Sequence, residues 1–109
     1  MLVTDAMPDG PFDLQGTAIR RDGERLVDRA GTLAGSTLTM DRAIANVVAQ
    51  GGASPAEASR MASATPAAFL GLENRLGTIA PGRQADLVIM DAAGRVAATW
   101  IAGVEERYA

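Results

Sequence analysis

Carboxylates and arginines supply all the charge of this 109-residue sequence, 13 of the first and 10 of the second, with no histidine and no cysteine beside them. Histidine is the commonest general base and metal ligand, so a zinc site made from these residues alone would have only carboxylates to use. The lack of cysteine removes disulfides, thiolate ligands and a cysteine nucleophile together. Two places remain where chemistry can be sought. Asp5 closes the short apolar run Met1-Leu2-Val3-Thr4, and Leu33, Ala34, Gly35 and Ser36 form a small-residue stretch before a helical pattern. By residue type alone, Asp5 reads as a turn or cap residue and Ser36 as the cap of the next helix.

The charge pattern excludes some partners. The arginines are scattered, with no run longer than Arg20-Arg21, and the net charge is −3, so neither nucleic acid nor an anionic membrane finds a basic footprint. No glycine spacing is followed by the Gly-Lys-Ser/Thr of a phosphate loop. There is no apolar run of membrane-span length and no leader pattern at the start, which makes a cytoplasmic protein the expectation. Arg20 and Arg42 match no phosphate motif.

Several elements must position these residues. Met1–Thr4 is expected to be a strand ending in a loop around Pro8, Gly10 and Pro11. Alternation from Phe12 to Arg20, then Asp22-Gly23 and Arg25-Leu26-Val27, predicts a β-hairpin. Gly31 to Ser36 predicts a loop, and Met40, Ala43, Ile44, Val47 and Val48 recur at helical spacing, giving a helix over about 37–50. Ser54, Pro55 and Glu57 form a capping box for a second helix running to about Ala64. Thr65-Pro66 repeats the device before a short third helix ending at Gly71. The runs Ala85–Met90 and Val96–Ala102 predict a second hairpin, with Asp86 at a turn or edge and Trp100 as an anchor. Met40 and Met61 fall at core spacing. Aromatic residues are few (Phe12, Phe69, Trp100, Tyr108) and alanine is abundant, so closely packed helices are expected. Hairpins flanking helices give an α/β mixture whose sheet is incomplete, with further strands expected upstream.

The segments Leu2-Val3-Thr4-Asp5-Ala6-Met7 and Gly31-Thr32-Leu33-Ala34-Gly35-Ser36, the latter followed by Leu38-Thr39-Met40, resemble N-acetylglucosamine-6-phosphate deacetylases of the amidohydrolase superfamily in order and spacing. The likeness continues through Arg60-Met61-Ala62-Ser63, Pro66-Ala67, Leu70-Gly71, Gly77-Thr78-Ile79-Ala80-Pro81-Gly82, Ala85-Asp86-Leu87-Val88 and Thr99-Trp100-Ile101-Ala102-Gly103, over nearly the whole chain. The glycine turn with Ala-Asp-Leu-Val is widespread in amidohydrolases, whereas the Thr-Asp-Ala-Met and Leu-Ala-Gly-Ser segments point to the deacetylase branch.

The resemblance implies a fragment of a TIM-like (β/α)8 barrel, its last strand and following helices, plus part of a small β-sandwich. Residues 1–75 would belong to the barrel, with a β-hairpin insertion at about 12–28, and residues 76–109 to the sandwich. A barrel of this kind needs about 250 residues, so most of it would lie outside this chain. Asp5 would stand at the end of the last barrel strand as the catalytic carboxylate, taking a proton from water and handing it to the departing sugar amine. Leu33, Ala34, Gly35 and Ser36 would contact the sugar. The family's divalent metal, zinc or iron, would be held by a glutamate and histidines elsewhere, with none expected on this chain alone. The substrate would be an amino-sugar phosphate, and the exposed barrel-facing surface would favour a homo-oligomer or a self-associating fragment. Two alternatives stand beside this: a non-catalytic assembly or binding module derived from the enzyme, and a deacetylase for another N-acetylhexosamine phosphate.

Overall fold

The computed structural model describes residues 1–8 and 11–108, and the loop expected at Gly10 lies partly outside them. The chain divides into two compact units, Val3–Thr39 and Met1–Leu2 with Met40–Ala109.

Within the first unit, four strands form an antiparallel meander in chain order, β1 Phe12–Leu14, β2 Thr17–Asp22, β3 Arg25–Val27 and β4 Leu33–Ser36. The single hairpin expected here is therefore three strands. The added turn is Gln15-Gly16, where both residues have positive φ (52° and 85°), as a two-residue hairpin turn of the I′ kind requires. Asp13 stabilises it by accepting the Gly16 N–H through Oδ1 at 2.6 Å. Ile19, Leu26 and Val27 are buried and form this unit's core, with Leu26 fully enclosed.

Two strand expectations are corrected, one in this unit and one at the start of the chain. Leu33–Ser36 is a strand rather than a loop, because it pairs with β3 through Arg25↔Ser36, Leu26↔Gly35 and Val27↔Leu33 across a bulge. Pairing of this sort overrides the turn-forming character of Gly35 and Ser36. Conversely, Met1–Thr4 is not a strand: its backbone groups bond out of any ladder, Leu2 donating to the Met61 carbonyl and the Thr4 carbonyl accepting from the Ser36 hydroxyl. The extended pairing falls two residues later, as a parallel bridge between Ala6 and Ser36.

In the second unit, helix α1 spans Met40–Ala49, α2 Pro55–Ala62 and α3 Ala64–Phe69, α1 packing on α2 and α2 on α3. Their contacts bury Ala43, Ala58 and Ala67, the close alanine packing that the composition predicts. Helix α1 starts later than expected because Thr37 is tied to β-structure, its N–H and hydroxyl both donating to the Glu24 carbonyl. The capping box of α2 is present in full: the Ser54 hydroxyl accepts the Glu57 N–H and the Glu57 carboxylate accepts the Ser54 N–H. Helix α3 begins after Ser63 instead of Thr65. Pro66 then sits in the first turn, where its missing N–H would have had no helical partner. Met40 is 37% exposed and Met61 half-buried, so neither is a core residue as their spacing suggested.

The expected second hairpin is a three-stranded antiparallel sheet, β5 Leu87–Met90, β6 Val96–Ile101 and β7 Val104–Arg107, in that order. Trp100 stands mid-sheet between Leu87 and Glu105 and is half-buried. Asp86 lies just before the edge strand β5 and reaches across to a turn. Its Oδ1 accepts the Ala102 N–H at 2.8 Å and its Oδ2 the Gln84 amide at 2.7 Å, bracing Ala102-Gly103, both at positive φ. Those bonds, the Ala102 N–H first, hold the Asp86 carboxyl below its ordinary pKa.

Candidate functional site

Asp5 lies in a segment fixed almost entirely by one residue of β4. The Ser36 N–H donates to the Asp5 carbonyl at 2.9 Å, and the Ser36 carbonyl accepts the Met7 N–H at 3.1 Å. The Ser36 hydroxyl donates to the Thr4 carbonyl at 2.5 Å and accepts the Leu38 N–H at 3.2 Å. Thr4 adds a local bond, its hydroxyl accepting the Ala6 N–H. The sequence-predicted residues Asp5, Gly35 and Ser36 are thus brought together, although Thr4 and Ser36 are 32 positions apart.

The backbone at Asp5 is unusual. Its φ is +52°, a left-handed conformation that aspartate tolerates better than most residues but that needs support from its surroundings. Asp5 is exposed, and among the described residues none bonds its carboxylate, unlike that of Asp28, which accepts the N–H groups of Thr32 and Ala30. Gly35 is buried against this segment. A β-carbon there would lie 2.7 Å from the Met7 sulfur and 3.2 Å from the Asp5 carbonyl oxygen, so only glycine lets the two segments approach this closely.

Leu33 and Ala34 point elsewhere. Leu33 is 63% exposed, and both residues line an open recess of about 360 Å³ with Leu14, Gln15, Thr17 and Asp28. Asp5 is not part of that lining. The four residues proposed from sequence as one contact segment therefore separate, two facing the recess and two facing Asp5. Sequence reasoning included Thr4 and Met7 in the Thr-Asp-Ala-Met likeness but gave them no part in this arrangement.

The chain has no histidine or cysteine, and no group of three or more acidic residues among the described ones is placed to hold an ion. No helix among the described residues is long and apolar enough to cross a membrane.

The sequence profile of the amidohydrolase family matches residues 1–105. An N-acetylgalactosamine-6-phosphate deacetylase of Escherichia coli O157:H7 is 42% identical over 94% of the chain, and the chain spans 29% of it. An N-acetylglucosamine-6-phosphate deacetylase of Vibrio furnissii is 34% identical over 94% of the chain, which spans 27% of that relative. Among solved structures, an N-acetylglucosamine-6-phosphate deacetylase of Pasteurella multocida superposes with a TM-score of 0.89 at 28% identity, over 97% of this chain and 29% of that one. The chain thus spans less than a third of each of these proteins.

Proposed function

The chain belongs to the amidohydrolase family, and from that premise we propose that it supplies one segment of a hydrolase that removes the acetyl group from N-acetylglucosamine 6-phosphate, giving glucosamine 6-phosphate and acetate. The observation that carries this is the superposition on a deacetylase over 97% of the chain, with the exposed Asp5 drawn together with the buried Gly35 and the half-buried Ser36.

In this reading Asp5 is the catalytic residue. Its carboxylate takes a proton from the attacking water and returns it to the amine as the C–N bond breaks, a carboxylate being able to serve as base and then as acid. Its exposure leaves it open to the rest of the protein and to substrate. Of the segment Leu33, Ala34, Gly35 and Ser36 expected beside the sugar, Leu33 and Ala34 are supported for contact by their place on the recess, while Gly35 and Ser36 stand against the Asp5 segment. Amidohydrolases are in general metal-dependent. Among the described residues no group of three or more acidic side chains could hold an ion, which supports a zinc or iron ion held by residues beyond this chain.

The segment corresponds to the last strand of a (β/α)8 barrel and the helices after it over residues 1–75, with residues 76–109 in a small β-sandwich. The parallel Ala6–Ser36 bridge supports the first part, since barrel strands pair in parallel, and the β5–β7 meander supports the second. Phe69, Leu70 and Ile79 are 77%, 67% and 89% exposed, which supports burial against further protein or a second copy. A phosphorylated sugar does not cross membranes unaided, which supports a cytoplasmic setting.

One observation favours a second substrate reading. The Escherichia coli relative at 42% identity is named for the galactosamine sugar, the Vibrio relative at 34% for the glucosamine one. Amine release from each sugar phosphate should be compared for a full-length protein carrying this segment, beside the 109-residue chain alone. The proposal expects activity on N-acetylglucosamine 6-phosphate, and only with the full-length protein. A kcat/KM at least about tenfold higher for the galactosamine sugar would replace the substrate, and activity in the chain alone would overturn the requirement for outside residues.

A further inference from the structure

We propose that Ser36 is a positioning residue for Asp5, acting through its hydroxyl, and that Gly35 makes its approach possible; this rests on the catalytic reading of Asp5. Ser36 grips three of the four residues from Thr4 to Met7. Its N–H and carbonyl bond Asp5 and Met7 as strand partners do, whichever side chain stands at 36. The hydroxyl adds what a backbone ladder does not, a bond to the carbonyl of Thr4, immediately before the residue whose φ is +52°. That carbonyl belongs to the peptide unit that carries the Asp5 N–H, so anchoring it fixes the plane from which the Asp5 side chain projects. The Ser36 hydroxyl oxygen also accepts the Leu38 N–H and is therefore held from both sides.

A serine used in this way has no hydroxyl proton left for a sugar. The Leu33–Ser36 segment accordingly divides into Leu33 and Ala34, facing the recess, and Gly35 and Ser36, facing Asp5. Threonine can keep the hydroxyl bond, whereas valine has threonine's shape without it, so the two variants separate bonding from volume.

The test is made in a full-length deacetylase relative carrying this segment in place of its own, with kcat and KM measured for Ser36→Ala, Ser36→Thr, Ser36→Val and Asp5→Asn. A misplacement of about 1 Å at a reacting group lowers the rate by about 100-fold. Ser36→Ala and Ser36→Val should lower kcat by roughly 10- to 100-fold with KM within about threefold, and Ser36→Thr should restore most of kcat. If Ser36→Ala does not fold, the threonine and valine pair decides. Loss of kcat in Asp5→Asn with kcat kept in Ser36→Ala or Ser36→Val, or equal loss in the threonine and valine variants, overturns the role of Ser36 alone. An Asp5→Asn protein with unchanged kcat overturns the catalytic reading beneath it. A rise in KM without a fall in kcat would return Ser36 to substrate contact.

Discussion

Replacing Gly35 by alanine tests the close approach that the site depends on. The new β-carbon would meet the Met7 sulfur at 2.7 Å, Met7 Cγ at 2.9 Å and the Asp5 carbonyl oxygen at 3.2 Å. Alanine in a strand gains about 0.5–1 kcal/mol over glycine through the unfolded chain. Overpacking costs about 1–3 kcal/mol, so Gly35→Ala should destabilise by about 1–2 kcal/mol net. Two of the three contacts belong to a flexible side chain. Met7→Ala should therefore remove them at its own cost of about 1–2 kcal/mol, below the range for a fully buried methionine because Met7 is half-buried. In the double variant the penalties should fall short of their sum by about 1 kcal/mol, leaving the Asp5 carbonyl contact as the residue of the clash. Urea denaturation of the four proteins, followed by circular dichroism at one low concentration, measures this cycle. Additivity within about 0.3 kcal/mol, or a Gly35→Ala protein more stable than the parent, would refute the packing argument.

Gly77 combines a φ of +90° with a β-carbon position 2.8 Å from Ala67 Cβ, 2.9 Å from Ala64 Cα and 3.1 Å from the Ser63 carbonyl. Helix backbone cannot yield as Met7 can, so Gly77→Ala should cost about 3–4 kcal/mol, while Gly52→Ala, at φ +69° with open space around it, should cost only about 1–2. Equal urea midpoints for the two variants would contradict this. Asp28, Glu57, Asp86 and Asp91 all have pKa values lowered by hydrogen bonds to their charged forms, for Glu57 chiefly from Ser54. A lowered folded-state pKa gives stability that is present above the ordinary value and lost as pH falls through the folded one. The urea midpoint should accordingly hold down to about pH 5 and decline below the ordinary glutamate value of 4.5, with Glu57→Gln less acid-sensitive than the parent. A midpoint that is flat or rising from pH 5 to 3 would show that these bonds do not distinguish folded from unfolded carboxylates.

Local chemistry was legible in the sequence where a few adjacent residues decide the outcome. The Ser54-Pro55-Glu57 cap is the clearest case, since all its partners lie within one turn, and the alanine-rich contacts of α1 to α3 follow from composition. Asp86 was expected at a turn or edge, and it lies just before the edge strand β5, but its bracing of the distant Ala102-Gly103 turn was not readable. Errors came where distant pairing decides. Leu33–Ser36 reads as a loop because glycine and serine favour turns, yet β3 makes it a strand. Val104–Arg107 carries three charges and gives no apolar alternation, yet it pairs with β6 along its whole length. At the site, Asp5 and Ser36 could each be singled out, but not the bonds that join them. Those depend on Thr4 and Met7, whose residue types suggest no such role.

The most direct measurement is amine release from N-acetylated hexosamine 6-phosphates by a full-length protein containing this segment, with Asp5 intact and with Asp5→Asn. Asparagine keeps the size of the side chain and removes its ability to take up a proton. A fall in kcat of about 100- to 10,000-fold, with folding and substrate binding retained, is the expected result. A kcat within about threefold of the parent would mean that proton transfer belongs to another residue and that Asp5 serves only the backbone segment in which it sits.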